Sequence, residues 1–139
     1  CTIGSAVDEK VRDYQAQKDH FKAIMLDEVA SWAVDQVRQS LYLDLENELQ
    51  AKDWRVSTML SPGESAWAVD DQRVIFNILD TSKIGVLLND SCLMTPLKSL
   101  SMIMGIGSQP MGVEGLTNCD FCSMQDRCRY YQARLGVHS

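Results

Sequence analysis

The stretch DHFKAIMLDEVASWAVDQVRQSLYLDLENEL, from Asp19 to Leu49, contains neither proline nor glycine. Within it Phe21, Ile24, Met25, Val29, Trp32, Ala33, Gln36 and Val37 mostly follow the i, i+3, i+4 rule. That spacing predicts one long helix with a single stripe turned toward the core. The stripe continues through Leu41, Leu45 and Leu49, while Glu46, Glu48 and Lys52 are expected to face water. A helix of this length is the expected main packing element, with Asp19 at its start.

Outward from this helix the pattern changes on both sides. Upstream, Ser5 and Asp8 have the spacing of a capping box, which predicts a short helix through Val11 and Tyr14. Before it, Thr2, Ile3 and Gly4 read like the end of a β-strand that starts outside the sequence. Downstream, from Trp54 to Ala68, the periodicity vanishes, and Ser61-Pro62-Gly63 is a loop signature. Asp70 then has the place of an N-cap, with Val69 and Val74 spaced as a hydrophobic staple. The helix that follows turns Val74, Ile75, Ile78 and Leu79 inward and stops near Asp80. Ile84 to Leu88 is a β-branched and aliphatic run and is expected to be a strand; Ser99 to Ile106 is expected to be a second. Asp90 to Lys98 reads as the connection between them. Helices followed by strands predict an α+β fold, with long helices packed on a small, mainly antiparallel sheet.

At 139 residues the chain is the size of one domain, long enough to bury a core. The formal charge of −6 argues against nucleic acid and anionic membranes as partners, because phosphate binding needs clustered Lys and Arg. No apolar run approaches the ~20 residues that span a bilayer. A cytoplasmic protein is expected. Residues 1–107 read as one α+β domain, and 108–139 as a cysteine-rich tail packed on it, joined by the Gly-rich linker from Gln109 to Asn118.

Five cysteines is an odd number, and three of them, in Cys119-x2-Cys122-x5-Cys128, fall within ten residues. Secreted disulfide scaffolds usually spread an even set, so this pattern reads as thiolates used as ligands in a reducing compartment. Two thiolates separated by two residues wrap one metal centre in a tight turn, and the third returns after a short excursion. Iron–sulfur clusters take Cys thiolates at such spacings, usually four for a 4Fe–4S centre. Structural zinc would prefer a second Cys pair or a His pair, and neither is present; His20 is distant and His138 lies near the end. Zinc, or no metal, stays open. For a fourth ligand Cys92 is the better internal candidate and Cys1 the runner-up. Met94, Met102, Met104 and Met111 read mostly as core filling, as do Trp32, Trp54 and Trp67. No nucleophile or acid–base pair stands out.

Three stretches in order carry a resemblance. They are Asp19-His20-Phe21-Lys22-Ala23-Ile24-Met25; Ser61-Pro62-Gly63 with Trp67; and Ile84 through Gly85-Val86-Leu87-Leu88-Asn89-Asp90-Ser91 to Met94, Pro96, Ser99 and Ser101. Together they resemble the activation domain of cobalamin-dependent methionine synthase, over most of residues 8–107. The resemblance implies an α+β domain that binds S-adenosylmethionine and docks on a corrinoid domain, so that inert cob(II)alamin is reduced and remethylated. By position, Asp35 matches an acidic helix residue that contacts the methyl donor's charged end. Ser61, Pro62 and Gly63 match the loop whose backbone receives the ligand, with Glu64 beside them.

Two positions in that loop depart from the family. Met59 stands where the family has an Arg, and Glu64 where it has a Tyr. A guanidinium grips a carboxylate with two hydrogen bonds, whereas a thioether cannot and a carboxylate repels it. The tail departs as well, since the cysteine cluster replaces the family's later sheet and helix. Short relatives with this layout look like stand-alone activators of corrinoid methyltransferases. The resemblance therefore implies an accessory protein that passes an electron through an iron–sulfur cluster to a corrinoid protein. The alternative is a zinc- or cluster-stapled docking module that binds a corrinoid or S-adenosylmethionine-like ligand.

Overall fold

A computed structural model describes residues 1–64, 67–109 and 125–128. The fold is α+β, as the order of elements in the sequence predicts. Helix α1 covers Ala6–Ala16, α2 covers His20–Gln50 and α3 covers Gln72–Ile78. Four short strands, β1 (Arg55–Val56), β2 (Leu87–Leu88), β3 (Met94–Thr95) and β4 (Ile106–Gly107), form two antiparallel pairs, β1 with β4 and β2 with β3. No helix among the described residues is long and apolar enough to cross a membrane.

Both long helices end without glycine. At the end of α1, Lys18 takes a left-handed φ of 60°; its N–H reaches Gln15 O at 3.0 Å and the Asp19 N–H reaches Tyr14 O at 2.9 Å. This is the paired closure of a Schellman motif. The same motif ends α2, with Asp53 left-handed and the Trp54 N–H bonded to Leu49 O at 3.0 Å. Asp tolerates that conformation better than most residues.

Asp19 caps α2. Its carboxylate accepts from the Lys22 N–H at 3.2 Å and from Lys22 Nζ at 2.7 Å. The Lys22 ammonium and then its N–H hold this carboxyl below its ordinary 3.8. The folded value lies below the unfolded one, so the cap's contribution is full above the ordinary value and is lost as pH falls through the lowered one. The Lys22 amide chemical shift is accordingly expected to titrate with a midpoint below pH 3.8, the ordinary value. A midpoint at or above that value would show that the cap does not hold in solution.

Over its first half, the face that α2 buries is the reverse of the one its periodicity suggests, whereas at its end Leu49 is buried as expected. Ala23, Ala30, Val34 and Leu49 are the buried residues of α2. Phe21 is 75% exposed, Ile24 62% and Trp32 65%. Small side chains let α1 approach α2 closely, so the large apolar residues are left on the outer face. The expected box at the start of α1 also differs: Ser5 makes no side-chain cap. Asp8 is buried instead, and its carboxylate accepts from the Leu97 N–H at 2.7 Å. Nor do Val69 and Val74 form a buried staple, being 46% and 51% exposed. Asp70 lies in a 3-10 turn, Val69–Asp71, ahead of α3.

The run from Lys98 to Gly107 organises the strands. At one end Thr2 bridges Ser99, with the Ile3 N–H bonded to Lys98 O at 3.1 Å. At the other, Val56 pairs with Ile106 and Leu60 with Ile103. Between these two pairs three residues on one strand thus face two on the other, which is a β-bulge. The Ser57 hydroxyl fills the gap in the ladder by accepting from the Gly105 N–H at 2.8 Å.

The strand expected at Ile84–Leu88 is shorter than its sequence suggests. A 3-10 turn takes Thr81–Ile84, and only Leu87–Leu88 pairs, with Met94–Thr95. The connection expected after Asp90 is therefore a hairpin. Asn89 Oδ1 builds its turn by accepting from the N–H groups of Ser91 and Leu93, both at 2.9 Å. Beyond the hairpin, Lys98 Nζ reaches back to α2, 2.7 Å from Asp27 and 2.9 Å from Ser31 Oγ. With Asp8 on Leu97, this clamp fixes both helices to the start of the central run.

Candidate functional site

The loop at Ser61–Glu64 follows directly from the bulged strand. The Glu64 N–H donates to Ser61 O at 3.2 Å, closing a turn that Pro62 and a left-handed Gly63 allow. The Ser61 N–H donates to Glu64 Oε2 at 3.2 Å, and the Gly63 N–H to Trp67 O at 2.9 Å. Pro62 has no N–H. Each backbone donor of the loop thus has an acceptor in the loop or at Trp67, and Glu64 supplies one of them.

Asp35 is likewise engaged on its own helix. Its carboxylate lies 2.5 Å from Arg38 Nη2 and accepts from Gln39 Nε2 at 2.7 Å. A ligand amine would have to displace two local donors to reach it. The arrangement is that of an i, i+3 and i, i+4 helix network. Trp67, which follows the loop, is also held locally, its indole N–H donating to Asp71 at 2.8 Å.

Of the cysteines expected to hold a metal, Cys119 and Cys122 lie outside the described residues. Cys128 is half-buried, with a free thiol, directly after the 3-10 turn Gln125–Arg127. Cys92 sits in the β2–β3 hairpin at a left-handed φ of 60° and is 4% exposed. Its thiol points at Asp70 Oδ1, 3.8 Å away. To complete a cluster Cys92 would have to leave this partner. Cys1 is half-buried against the central run. Among the described residues no three His, Cys, Asp or Glu side chains converge on one point.

The grouping that spacing alone did not reveal lies beneath the central run. There a cavity of about 200 Å³ is lined by residues from α3, from β3 and from residues 100–104, together with Cys1. Its walls are almost wholly apolar. The signal for it was present in the alternation Leu100, Met102, Met104, three residues that share one face of an extended segment.

Fold and site together define a small α+β domain with a bulged strand beside its central run, a self-satisfied Ser-Pro-Gly-Glu turn and a C-terminal segment of closely spaced cysteines. No family model matches the chain, and no curated protein matches it.

Proposed function

We propose that this protein is an accessory or activator of a corrinoid-dependent methyltransferase, which binds an iron–sulfur cluster through Cys119, Cys122 and Cys128 and delivers an electron for cob(II)alamin reduction. The observation that carries this reading is the Cys119-x2-Cys122-x5-Cys128 spacing, whose one described member, Cys128, holds a free and partly accessible thiol. Three soft donors in ten residues fit iron–sulfur better than any oxygen-loving ion. When bound, such a cluster supplies one-electron transfer.

Two further observations favour an accessory role over an S-adenosylmethionine site. The Asp35 carboxylate already has Arg38 and Gln39, and the backbone donors of the Ser61–Glu64 turn already have acceptors. An outward row of Phe21, Ile24 and Trp32 on α2 offers an apolar face against which a partner protein can dock.

The test is iron, zinc and acid-labile sulfide content, with the visible spectrum, on protein purified without oxygen. The expected result is a brown protein that dithionite bleaches and that loses its iron in Cys122→Ser. A colourless protein with zinc in place of iron would reject electron delivery and leave a stapled docking module. Protein with neither metal would reject the cysteine reading itself.

A further inference from the structure

Cys1 and Leu100 are a directly opposed antiparallel pair that exchanges both main-chain bonds. The Leu100 N–H reaches Cys1 O at 2.9 Å and the Cys1 amine reaches Leu100 O at 2.8 Å. Opposed residues project to the same face of a ladder, and so do residues two apart along an extended run. Cys1, Leu100, Met102 and Met104 therefore share one face. Cys1 and Met102 are diagonal neighbours, about 7 Å apart, within reach of a long side chain. β3 brings Met94 to the same space, and all four sulfur-bearing residues line the cavity of about 200 Å³.

Methionine in a core ordinarily fills irregular gaps. Here three of the chain's seven methionines surround a gap that stays open. Among the described residues no carboxylate and no imidazole lines it.

We propose that this cavity is a binding site for a soft monovalent metal ion, copper(I), held by the Cys1 thiolate and the thioethers of Met94, Met102 and Met104. Thioether and thiolate sulfur select copper(I) over harder ions. Charge points the same way. On binding, the Cys1 thiol gives its proton to solvent, and one thiolate with neutral thioethers around a singly charged ion makes a coordination sphere of zero net charge, with the Cys1 ammonium outside it on Leu100 O. Such a complex lies in an apolar cavity without the cost of an isolated ion. A divalent ion with these donors would keep one uncompensated positive charge. The site lies in the described sheet and is independent of the C-terminal cysteines and of the role proposed for them.

The test is anaerobic titration of the full chain with copper(I) against a chromophoric copper(I) chelator, followed by X-ray absorption of the loaded protein. It is run in a Cys119→Ser, Cys122→Ser, Cys128→Ser background, so that the tail contributes no thiols. One ion per chain with sulfur neighbours is expected. Binding should weaken at least tenfold in Met102→Leu/Met104→Leu and in Cys1→Ser. Leu closely matches Met in volume, so the double variant keeps the packing, and circular dichroism checks this. In the natural chain the same Leu pair is expected to subtract one equivalent from the total uptake. Unchanged uptake in the Leu pair, a shell of nitrogen or oxygen, or no ion retained against the chelator would each overturn the proposal.

Discussion

Ile75→Ala is expected to lower the unfolding free energy by about 3 kcal/mol, the middle of the range for deleting a buried aliphatic side chain. Ile75 is 3% exposed and projects from α3 toward the cavity under the central run. The surroundings already enclose open space, so they have little to collapse with, and the truncation enlarges a void. Trp32→Ala is the paired measurement. Its side chain is larger, yet it is 65% exposed, and the change should fall within about 0.5 kcal/mol. Urea midpoints at constant slope decide the matter. A larger loss in Trp32→Ala would show that the outer face of α2 is covered in solution.

Asp8→Ala should cost about 2 kcal/mol, because a hydrogen bond to a charged group is among the stronger ones and its loss leaves the Leu97 N–H without its acceptor. Asp8 is only 8% exposed, and its 2.7 Å bond ties α1 to the start of the central run. Asp8→Asn keeps a carbonyl oxygen of the same reach and should recover roughly half of the loss. Glu9→Ala serves as the control, since Glu9 is exposed and its carboxylate meets the exposed Ser5 hydroxyl at 3.2 Å. Equal stability of the Asp8→Ala and Glu9→Ala variants would remove Asp8 from the account of what holds the helices to the sheet.

The length of α2 was legible in the sequence and its orientation was not. An i, i+3, i+4 pattern says that one face differs from the rest, but not which face meets a neighbour. In the first half of α2 the buried set, Ala23, Ala30 and Val34, is small, and its spacing suits close helix approach, a signal masked by the larger Phe21 and Trp32; Leu49, at the end of the expected stripe, is buried. The closures of both helices were not legible, because Lys18 and Asp53 occupy left-handed positions where glycine is the usual marker. The β2–β3 hairpin was hidden in what read as a connection, although Asn89, Asp90 and Ser91 are turn-forming residues. Ser99 to Ile106 was read as extended, and it pairs at both ends.

At the candidate site, the sequence placed Asp35 on a helix and Ser61-Pro62-Gly63 in a turn, and the structure agrees. It could not show that Arg38, Gln39 and Glu64 occupy their polar groups, because such bonds depend on rotamers. The capping box misled for a similar reason. Asp8 finds its partner 89 residues away, a contact that no local pattern encodes.

The pairing of Thr2 with Ser99, 97 positions later, has a consequence in time. At a synthesis rate of about 5–20 residues per second, residues 1–3 emerge roughly 5 to 20 seconds before their partners exist. Helices α1 and α2 lie wholly within that interval and form from local contacts, so a helical pair precedes any sheet. The first residues meanwhile carry unpaired main-chain donors and acceptors, the condition in which strands seek foreign edges. Arrival of Leu97, Lys98 and Ser99 ends this wait on several fronts at once, since Asp8, Asp27 and Thr2 all hold that one short segment. A single closure at Leu97–Ser99 thus joins residues 1–3 to both long helices, before residues 103–107 arrive to pair with 55–60.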